Sequence, residues 1–94
     1  MSDYPDSDDL QKIENWQILS YSDCHLLIQF VFSVWAYPEY CKILPDNKYR
    51  LATGGWSGNE DIISSMRKNT MFWMLFWESS NRSGGHVFGE IPHD

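Results

Sequence analysis

The amino-acid sequence predicts an α+β fold: a small single domain in the order α-α-β-α-β-β, with a three-stranded, mostly antiparallel sheet packed by helices. Helix-capping residues precede apolar positions at helical spacing in several places. Residues 48–53 alternate charged and apolar side chains, as a half-buried strand does. Residues 79–85, rich in Ser, Asn and Gly, separate two apolar segments and predict a hairpin loop.

The N-terminal segment predicts a short helix preceded by a loose arm. Residues 1–7 are polar and acidic, and we expect a flexible arm before a domain that spans residues 8–94. In the first predicted helix, about Asp8–Asn15, the apolar residues Leu10 and Ile13 recur at a spacing of three. Aspartates at its start are typical N-terminal residues of a helix.

The second predicted helix is the long apolar segment Cys24–Tyr37. Its β-branched and aromatic residues are typical of a strand, but its length between an Asp and Pro38 favours a helix. Ser22 and Asp23 can cap its start, and its polar residues recur every four positions. We therefore predict a well-buried helix that ends before Pro38, because a residue that precedes proline avoids helical angles.

The middle of the sequence predicts a loop and then the first strand. Residues 37–47 have the composition of a loop with one helical turn, and Pro45–Asn47 is a turn signal. In Lys48–Thr53 the alternation directs Tyr49 and Leu51 to the inside of the sheet.

The third predicted helix follows two glycines. Ser57 and Glu60 match the capping box, in which the hydroxyl and the carboxylate each bind a free backbone amide. Ile62, Ile63 and Met66 form the apolar stripe, and Asn69 can end the helix. Arg67 and Lys68 suit the negative end of the helix dipole.

The segment Thr70–Trp77 has no polar side and predicts a central strand covered on both faces. Helices can cover one face, whereas the other needs the N-terminal segment or a second copy of the protein, so a homodimer stays open. After the hairpin loop, His86–Ile91 is predicted to return antiparallel and to end at Pro92.

Composition and charge restrict the classes of function. The formal net charge of −6 disfavours binding to phosphate backbones, so we expect no direct nucleic-acid binding. The two cysteines provide neither a disulfide scaffold nor a metal site. The longest apolar run is too short to cross a bilayer and the N-terminus is acidic, so we expect a cytoplasmic protein without membrane contact.

The residues around the glycine turn and the hairpin are the candidate binding site. Two glycines before a helix N-terminus allow backbone amides to approach an anion, although a purely structural turn also fits. Trp56 lies in that turn, where an aromatic residue suits recognition or a cover over the core. The candidate binding residues are Gly54, Gly55, Trp56, Ser57, Asn59, Glu60, Trp77, Ser80, Arg82 and His86.

Catalysis has little support in the sequence. A catalytic His86 would need a nucleophile or a metal within reach, and Cys24 or Ser80 is a weak candidate. His25, His86 and His93 are too scattered to predict zinc. We therefore expect no enzyme, no cofactor and no metal.

Several fragments resemble a known group of proteins when taken together. They are Thr-Gly-Gly-Trp-Ser-Gly-Asn-Glu at 53–60, Asp-Ile-Ile at 61–63, Phe72-Trp73, Trp-Glu-Ser-Ser at 77–80 and Gly-Gly-His at 84–86. This combination resembles small uncharacterised bacteriophage and prophage proteins over about Leu51–Ile91, and residues 35–40 extend it. The resemblance implies a phage origin rather than a mechanism.

The leading functional hypothesis is a non-enzymatic, phage-encoded binding protein that inhibits a host process by contact with a host protein. A defence system is one such process, which would make the protein an anti-CRISPR-like inhibitor. By analogy, phage accessory proteins of this size commonly disarm host machinery. An alternative is a protein that sequesters a small nucleotide signal, with Trp56 or Trp77 stacked on the base and Arg82 on the phosphate. A weaker alternative is nucleic-acid mimicry by the acidic arm.

Overall fold

The computed structural model describes residues 5–82 and 84–90, which contain four α-helices and one four-stranded antiparallel sheet. The helices are α1 (Ser7–Glu14), α2 (Tyr21–Val34), α3 (Ser57–Lys68) and α4 (Thr70–Phe76). The strands are β1 (Cys41–Leu44), β2 (Lys48–Ala52), β3 (Trp77–Ser80) and β4 (Gly85–Phe88). The predicted α+β single domain is confirmed, with four strands instead of three.

The sheet has the order β1-β2-β4-β3, so β2 and β4 are its central strands. Leu51 in β2 pairs with His86 in β4, and Tyr49 pairs with Phe88. Because side chains alternate along a strand, these residues share one face of the sheet. Leu51 and Phe88 are fully buried and join the helices in a single core cluster. The prediction that Tyr49 and Leu51 face inward is confirmed.

The prediction of a central strand at Thr70–Trp77 is wrong. These residues form α4, and only Trp77 belongs to a strand, the edge strand β3. Helix α4 buries Phe72 and Phe76, one turn apart, and leaves Met74 76% exposed. Met and Leu are good helix formers, and the segment directly follows another helix. The question of what covers the second face of a central strand therefore does not arise.

Asn69 connects the two consecutive helices and explains why α4 can start. It ends α3, and its Oδ1 accepts a hydrogen bond of 3.2 Å from the backbone N–H of Phe72 in the first turn of α4. Its Nδ2 donates to the carbonyl oxygens of Ile13 and Trp16 at 3.0 and 2.9 Å. The predicted role of Asn69 as the end of α3 is confirmed, and the same side chain also ties α1 to both helices.

Strand β1 lies where a loop was predicted. Cys41–Leu44 pairs antiparallel with β2, and the predicted turn Pro45–Asn47 joins the two strands. Asp46 and Asn47 adopt positive φ angles of 66° and 58°, which Asn and Asp tolerate better than most residues. The expected helical turn is present as the 3₁₀ turn Pro38–Tyr40.

The boundaries of α1 and α2 differ modestly from the prediction. Helix α1 begins at Ser7, inside the segment predicted as an arm, and residues 1–4 lie outside the described part. Helix α2 begins at Tyr21 after Ser20, whereas Ser22 and Asp23 were the predicted caps. The Asp23 carboxylate instead accepts from the backbone N–H of Leu19 at 2.8 Å. The predicted helices themselves are confirmed.

The capping box predicted for α3 is not formed. Trp56 occupies the N-cap position without a capping hydrogen bond from its side chain, and Ser57 is already helical. A backbone hydrogen bond closes the first turn of α3 instead: the Glu60 N–H donates to the Trp56 carbonyl at 3.0 Å.

The predicted antiparallel return of β4 is confirmed up to Phe88, whereas Ile91 and Pro92 lie outside the described residues. Within the described ranges, no helix has the length and apolar character needed to cross a bilayer.

Candidate functional site

The end of β2 and the β3–β4 turn lie directly against each other. The Thr53 N–H donates to the Gly84 carbonyl at 3.0 Å, and Gly84 has a φ of 89°. A Cβ at Gly84 would lie 2.4 Å from the Thr53 hydroxyl, so this close approach requires glycine. The structure therefore brings the glycine turn after β2 and the hairpin tip to one rim.

A pocket of about 280 Å³ opens at this rim, between α3 and the β3–β4 turn. We refer to it as the arginine pocket. It is lined by Thr53, Glu60, Ile63, Ser64, Arg67, Asn81, Arg82, Gly84 and His86. Of the candidate binding residues, Glu60, Arg82 and His86 line it. The pocket runs alongside α3, whereas the sequence suggested an anion site at the N-terminus of that helix.

One face of α3 supplies almost half of the lining, and most of it was not predicted from the sequence. Glu60, Ile63, Ser64 and Arg67 follow the spacing i, i+3, i+4, i+7, which places them on one side of a helix. Arg67 was interpreted only as a favourable charge at the helix C-terminus. The helical spacing from Glu60 was the signal that could have identified it.

Arg67 and Arg82 both reach the pocket without a described carboxylate partner. Across residues 5–82 and 84–90, no carboxylate lies within ion-pairing distance of either guanidinium. By contrast, Lys48 pairs with Glu78 at 2.9 Å. The Arg67 guanidinium instead lies over the ring of Trp73, with its carbon 5.1 Å from the ring centroid. This cation–π contact limits the orientations that Arg67 can adopt.

His86 is held by a short series of hydrogen bonds. The Trp77 Nε1–H donates to the Ser80 Oγ at 2.8 Å, and the same oxygen lies 2.7 Å from the His86 Nδ1. The serine hydroxyl can accept from the indole N–H and at the same time donate its own hydrogen to Nδ1, and we assign the pair in this direction. A neutral His86 with an acceptor at Nδ1 carries its hydrogen on Nε2. The series therefore presents an N–H donor at the ring edge away from Ser80.

Burial of His86 lowers the pKa of its imidazole below the ordinary value of 6.5, and the nearby positive charge of Arg67 lowers this pKa further. His86 is therefore neutral at physiological pH, as the hydrogen-bond assignment requires. Within the described residues, no carboxylate hydrogen-bonds to His86. The serine–imidazole pair thus lacks, in that part of the protein, the acidic third member of a catalytic triad, and its serine already accepts from Trp77.

We expect the contribution of His86 to the free energy of unfolding to fall as the pH decreases from neutral through 6.5, and to level off below its lowered pKa. The sign follows because the unfolded protein binds a proton at a higher pH than the folded protein, so acid favours unfolding. Urea unfolding in a pH series, compared with His86→Gln, isolates this contribution. The decrease should be smaller in the variant, and equal pH dependence in both proteins would contradict the assignment.

Beside the arginine pocket lies an aromatic patch, which we define as Tyr37, Tyr40 and Trp56. Tyr37 packs edge-on against Trp56, with ring centroids 5.7 Å apart, and against Tyr40 at 6.0 Å. Tyr37 and Tyr40 are 45% and 42% exposed, and Trp56 is half-buried. A Cβ on Gly54 would lie 2.7 Å from the Tyr40 ring, so this glycine lets the turn pack against the patch.

Asn59 positions the aromatic patch and is not available for binding. It is 1% exposed, and its amide donates to the Ala36 carbonyl and accepts from the Ala36 N–H, both at 3.0 Å. This pairing holds the segment that precedes Tyr37 against the start of α3. Asn59 was predicted to contact a partner, and in the structure its polar atoms are used inside the fold.

The other candidate residues lie around the pocket rather than in it. Gly54, Gly55 and Ser57 are exposed on the turn. Trp77 stacks on Trp73 with ring centroids 5.7 Å apart. Among the described residues, neither tryptophan of the candidate site lines the pocket. Trp77 and Ser80 were predicted to contact a partner. In the structure Ser80 forms hydrogen bonds with both Trp77 and His86.

The two cysteines are poor nucleophiles in this fold. Burial raises the pKa of the Cys24 thiol to about 11, with smaller contributions from Asp23 and Glu90. Burial likewise raises the pKa of Cys41 to about 11. Both thiols are therefore protonated at neutral pH, and a thiol reacts mainly as its thiolate.

The site thus consists of a polar pocket with two guanidinium groups beside an exposed aromatic patch. Comparisons of the sequence and fold with protein-family models, with curated proteins and with solved structures give no significant match.

Proposed function

We propose that this protein is a non-enzymatic binding protein that inhibits a host process by contact with a host protein in the host cytoplasm. The resemblance to small phage proteins motivates a phage origin, and a defence system is the host process that we propose first. The binding surface combines the aromatic patch and the rim of the arginine pocket.

The observation that carries this proposal is the aromatic patch next to two arginines that pair with no carboxylate of the described residues. Tyr, Trp and Arg are the residues most enriched among those that dominate binding energy at protein interfaces. The backbone links both features closely, since the Trp56 N–H donates to the Thr53 carbonyl at 3.0 Å and Thr53 lines the pocket. We therefore propose that one partner covers both features.

Backbone strain at the patch supports a role in recognition. Tyr37 has a φ of 61°, in the left-handed region that bulky residues rarely adopt. Such a conformation costs on the order of 1–3 kcal/mol and persists where the surrounding structure enforces it, often at binding sites. Here Asn59 fixes the preceding residue, Ala36, on both its N–H and its carbonyl.

The nucleotide alternative has weaker support. Two arginines suit a phosphate, but Trp56 and Trp77 are not among the described residues that line the pocket, so neither ring is placed to stack on a base there. Glu60 does line the pocket and adds a negative charge that opposes a phosphate. Mimicry of nucleic acid by the N-terminal arm falls mostly on residues 1–4, outside the described part.

Replacing Trp56 by alanine is expected to weaken partner binding about thirtyfold or more, as truncation of a dominant interface aromatic does. The partner would be captured from host lysate with the tagged protein, identified by mass spectrometry and purified. Its dissociation constant would then be measured by calorimetry for the unsubstituted protein and the variant.

Leu26→Ala provides the matched control, because Leu26 is an exposed apolar residue on α2, outside the aromatic patch. This control should bind the partner with unchanged affinity, and Tyr37→Ala should behave like Trp56→Ala. Urea unfolding of each variant separates lost contact from lost structure. Full affinity in both patch variants would refute the proposed surface.

A further inference from the structure

We infer that the arginine pocket receives the carboxylate of an acidic side chain of the partner, held between Arg67 and Arg82 with His86 as an additional hydrogen-bond donor. This inference rests on the proposed function and names the chemical group that the partner must present. It assigns a role to the two arginines, to His86 and to the net positive charge of the pocket.

The first argument concerns the two arginines. The protein has 13 acidic and 7 basic side chains, so carboxylates are abundant. Nevertheless, in the described part of the structure none lies within ion-pairing distance of Arg67 or Arg82. A guanidinium offers a planar fork of N–H donors that fits the two oxygens of a carboxylate. Two such groups from α3 and the β3–β4 turn, lining one pocket, point to an anionic occupant.

The second argument concerns the pocket walls, which orient the donors. Arg67 lies on the ring of Trp73, which stacks in turn on Trp77. Trp77 also begins the series of hydrogen bonds through Ser80 that leaves the Nε2–H of His86 as a donor. One aromatic stack thus supports both an arginine and the histidine. Donors held in place before binding lose less conformational entropy when the anion arrives.

The third argument distinguishes a carboxylate from a phosphate. With His86 neutral, the charges among the described lining residues are those of two arginines and of Glu60, which leaves a single positive charge. One carboxylate neutralises it, whereas a dianionic phosphate would leave a negative charge in the pocket. Glu60 is not withdrawn into a capping box, since Ser57 is already helical and Trp56 holds the N-cap position. The charge balance therefore favours the monoanion.

The experiment titrates isotope-labelled protein with a capped tripeptide that has a central glutamate, and monitors the arginine Nε–H and histidine ring signals by NMR. A peptide with a central glutamine is the neutral probe, and inorganic phosphate is the third. The expected result is a saturable shift at Arg67, Arg82 and His86 with the glutamate peptide. The glutamine peptide should produce none. Tighter binding of phosphate than of the glutamate peptide would overturn the inference.

Arg67→Gln and Arg82→Gln should each weaken binding of the glutamate peptide about tenfold, the usual effect of removing a charge-assisted hydrogen bond. Lys68→Gln is the matched control, because Lys68 is exposed, adjacent to Arg67 and outside the pocket lining. Arg67→Lys keeps the charge but loses the planar fork, and should bind more weakly than the unsubstituted protein. Equal weakening by Lys68→Gln would overturn the inference, since it would reduce the effect to overall charge.

These titrations need no partner, so the two proposals can fail separately. If the protein binds the glutamate peptide as expected but Trp56→Ala and Tyr37→Ala both keep full partner affinity, the proposed surface is refuted and the pocket assignment is kept. If Trp56→Ala abolishes partner binding but the peptide causes no saturable shift, the pocket assignment alone is refuted.

Discussion

Replacing Phe76 by alanine is expected to lower the free energy of unfolding by about 3–5 kcal/mol, the usual range for a fully buried phenylalanine. Phe76 is 0% exposed and lies where α4 meets α2 and the sheet. Its ring centroid lies 5.0 Å from that of His25, 5.6 Å from that of Phe72 and 6.1 Å from that of Tyr49. Truncation would leave a cavity among rings from three elements. Urea unfolding monitored by circular dichroism measures the loss.

Met74→Ala is the matched control, because Met74 lies two residues away on the same helix and is 76% exposed. Its effect should stay within about 0.5 kcal/mol, as for most surface substitutions. The comparison also distinguishes the helix from a strand, in which residues 74 and 76 would share one face. Similar losses for Phe76→Ala and Met74→Ala would contradict the helical assignment of α4.

Replacing Asn69 by alanine is expected to destabilise the protein by about 3–4 kcal/mol, since it removes three side-chain hydrogen bonds to backbone groups, two of them buried. The carbonyl oxygens of Ile13 and Trp16 would each lose a donor, and the Phe72 N–H would lose its acceptor. Each of these hydrogen bonds is worth about 0.5–1.5 kcal/mol, and the cap alone is worth about 1 kcal/mol. The midpoint of urea unfolding should shift with an unchanged slope.

Asn15→Ala is the control for this prediction. Asn15 occupies the C-cap position of α1 but is exposed, so water can replace whatever its side chain contacts. The same chemical change should therefore cost less than about 0.5 kcal/mol there. If both variants lost similar stability, the buried hydrogen bonds of Asn69 would not be the reason for its effect.

Local sequence patterns were sufficient to predict the type of secondary structure where apolar residues recur with a regular period. Helix α3 shows an apolar stripe between Ile62 and Met66, and β2 alternates around Tyr49 and Leu51. A helix or a strand that buries one side leaves this period in the sequence. The elements with a clear period were therefore predicted with the correct type, and their ends shifted by only a few residues.

The segment 70–77 lacks such a period, and it was predicted incorrectly for that reason. Every residue from Met71 to Trp77 is apolar. A helix and a strand would each bury apolar side chains on one side, so the pattern does not distinguish between them. The choice depends on Asn69, whose side chain caps α4 while it binds the backbone of α1. Because α1 lies more than fifty residues earlier in the sequence, no local pattern could reveal this contact.

The candidate site likewise has a part that the sequence predicted and a part that it did not. The glycine turn and the hairpin were predicted to contribute to one binding site, and the hydrogen bond from the Thr53 N–H to the Gly84 carbonyl places them at one rim. Arg67 was not predicted at the site, and Asn59, predicted as a contact residue, is buried. The helical spacing from Glu60 places Arg67 on the same face of α3, but only the packing of the β3–β4 turn shows that this face lines a pocket. The sequence around Asn59 gives no sign that its amide is buried.

By itself, the sequence determined the α+β class, three helices, the inner face of β2 and the hairpin, because each depends on neighbours within a few residues. Only the tertiary structure decided that residues 70–76 form a helix, that Cys41–Leu44 adds an edge strand, and that Arg67 and Arg82 share one pocket. These outcomes depend on side chains and backbone groups that meet only after distant segments pack together.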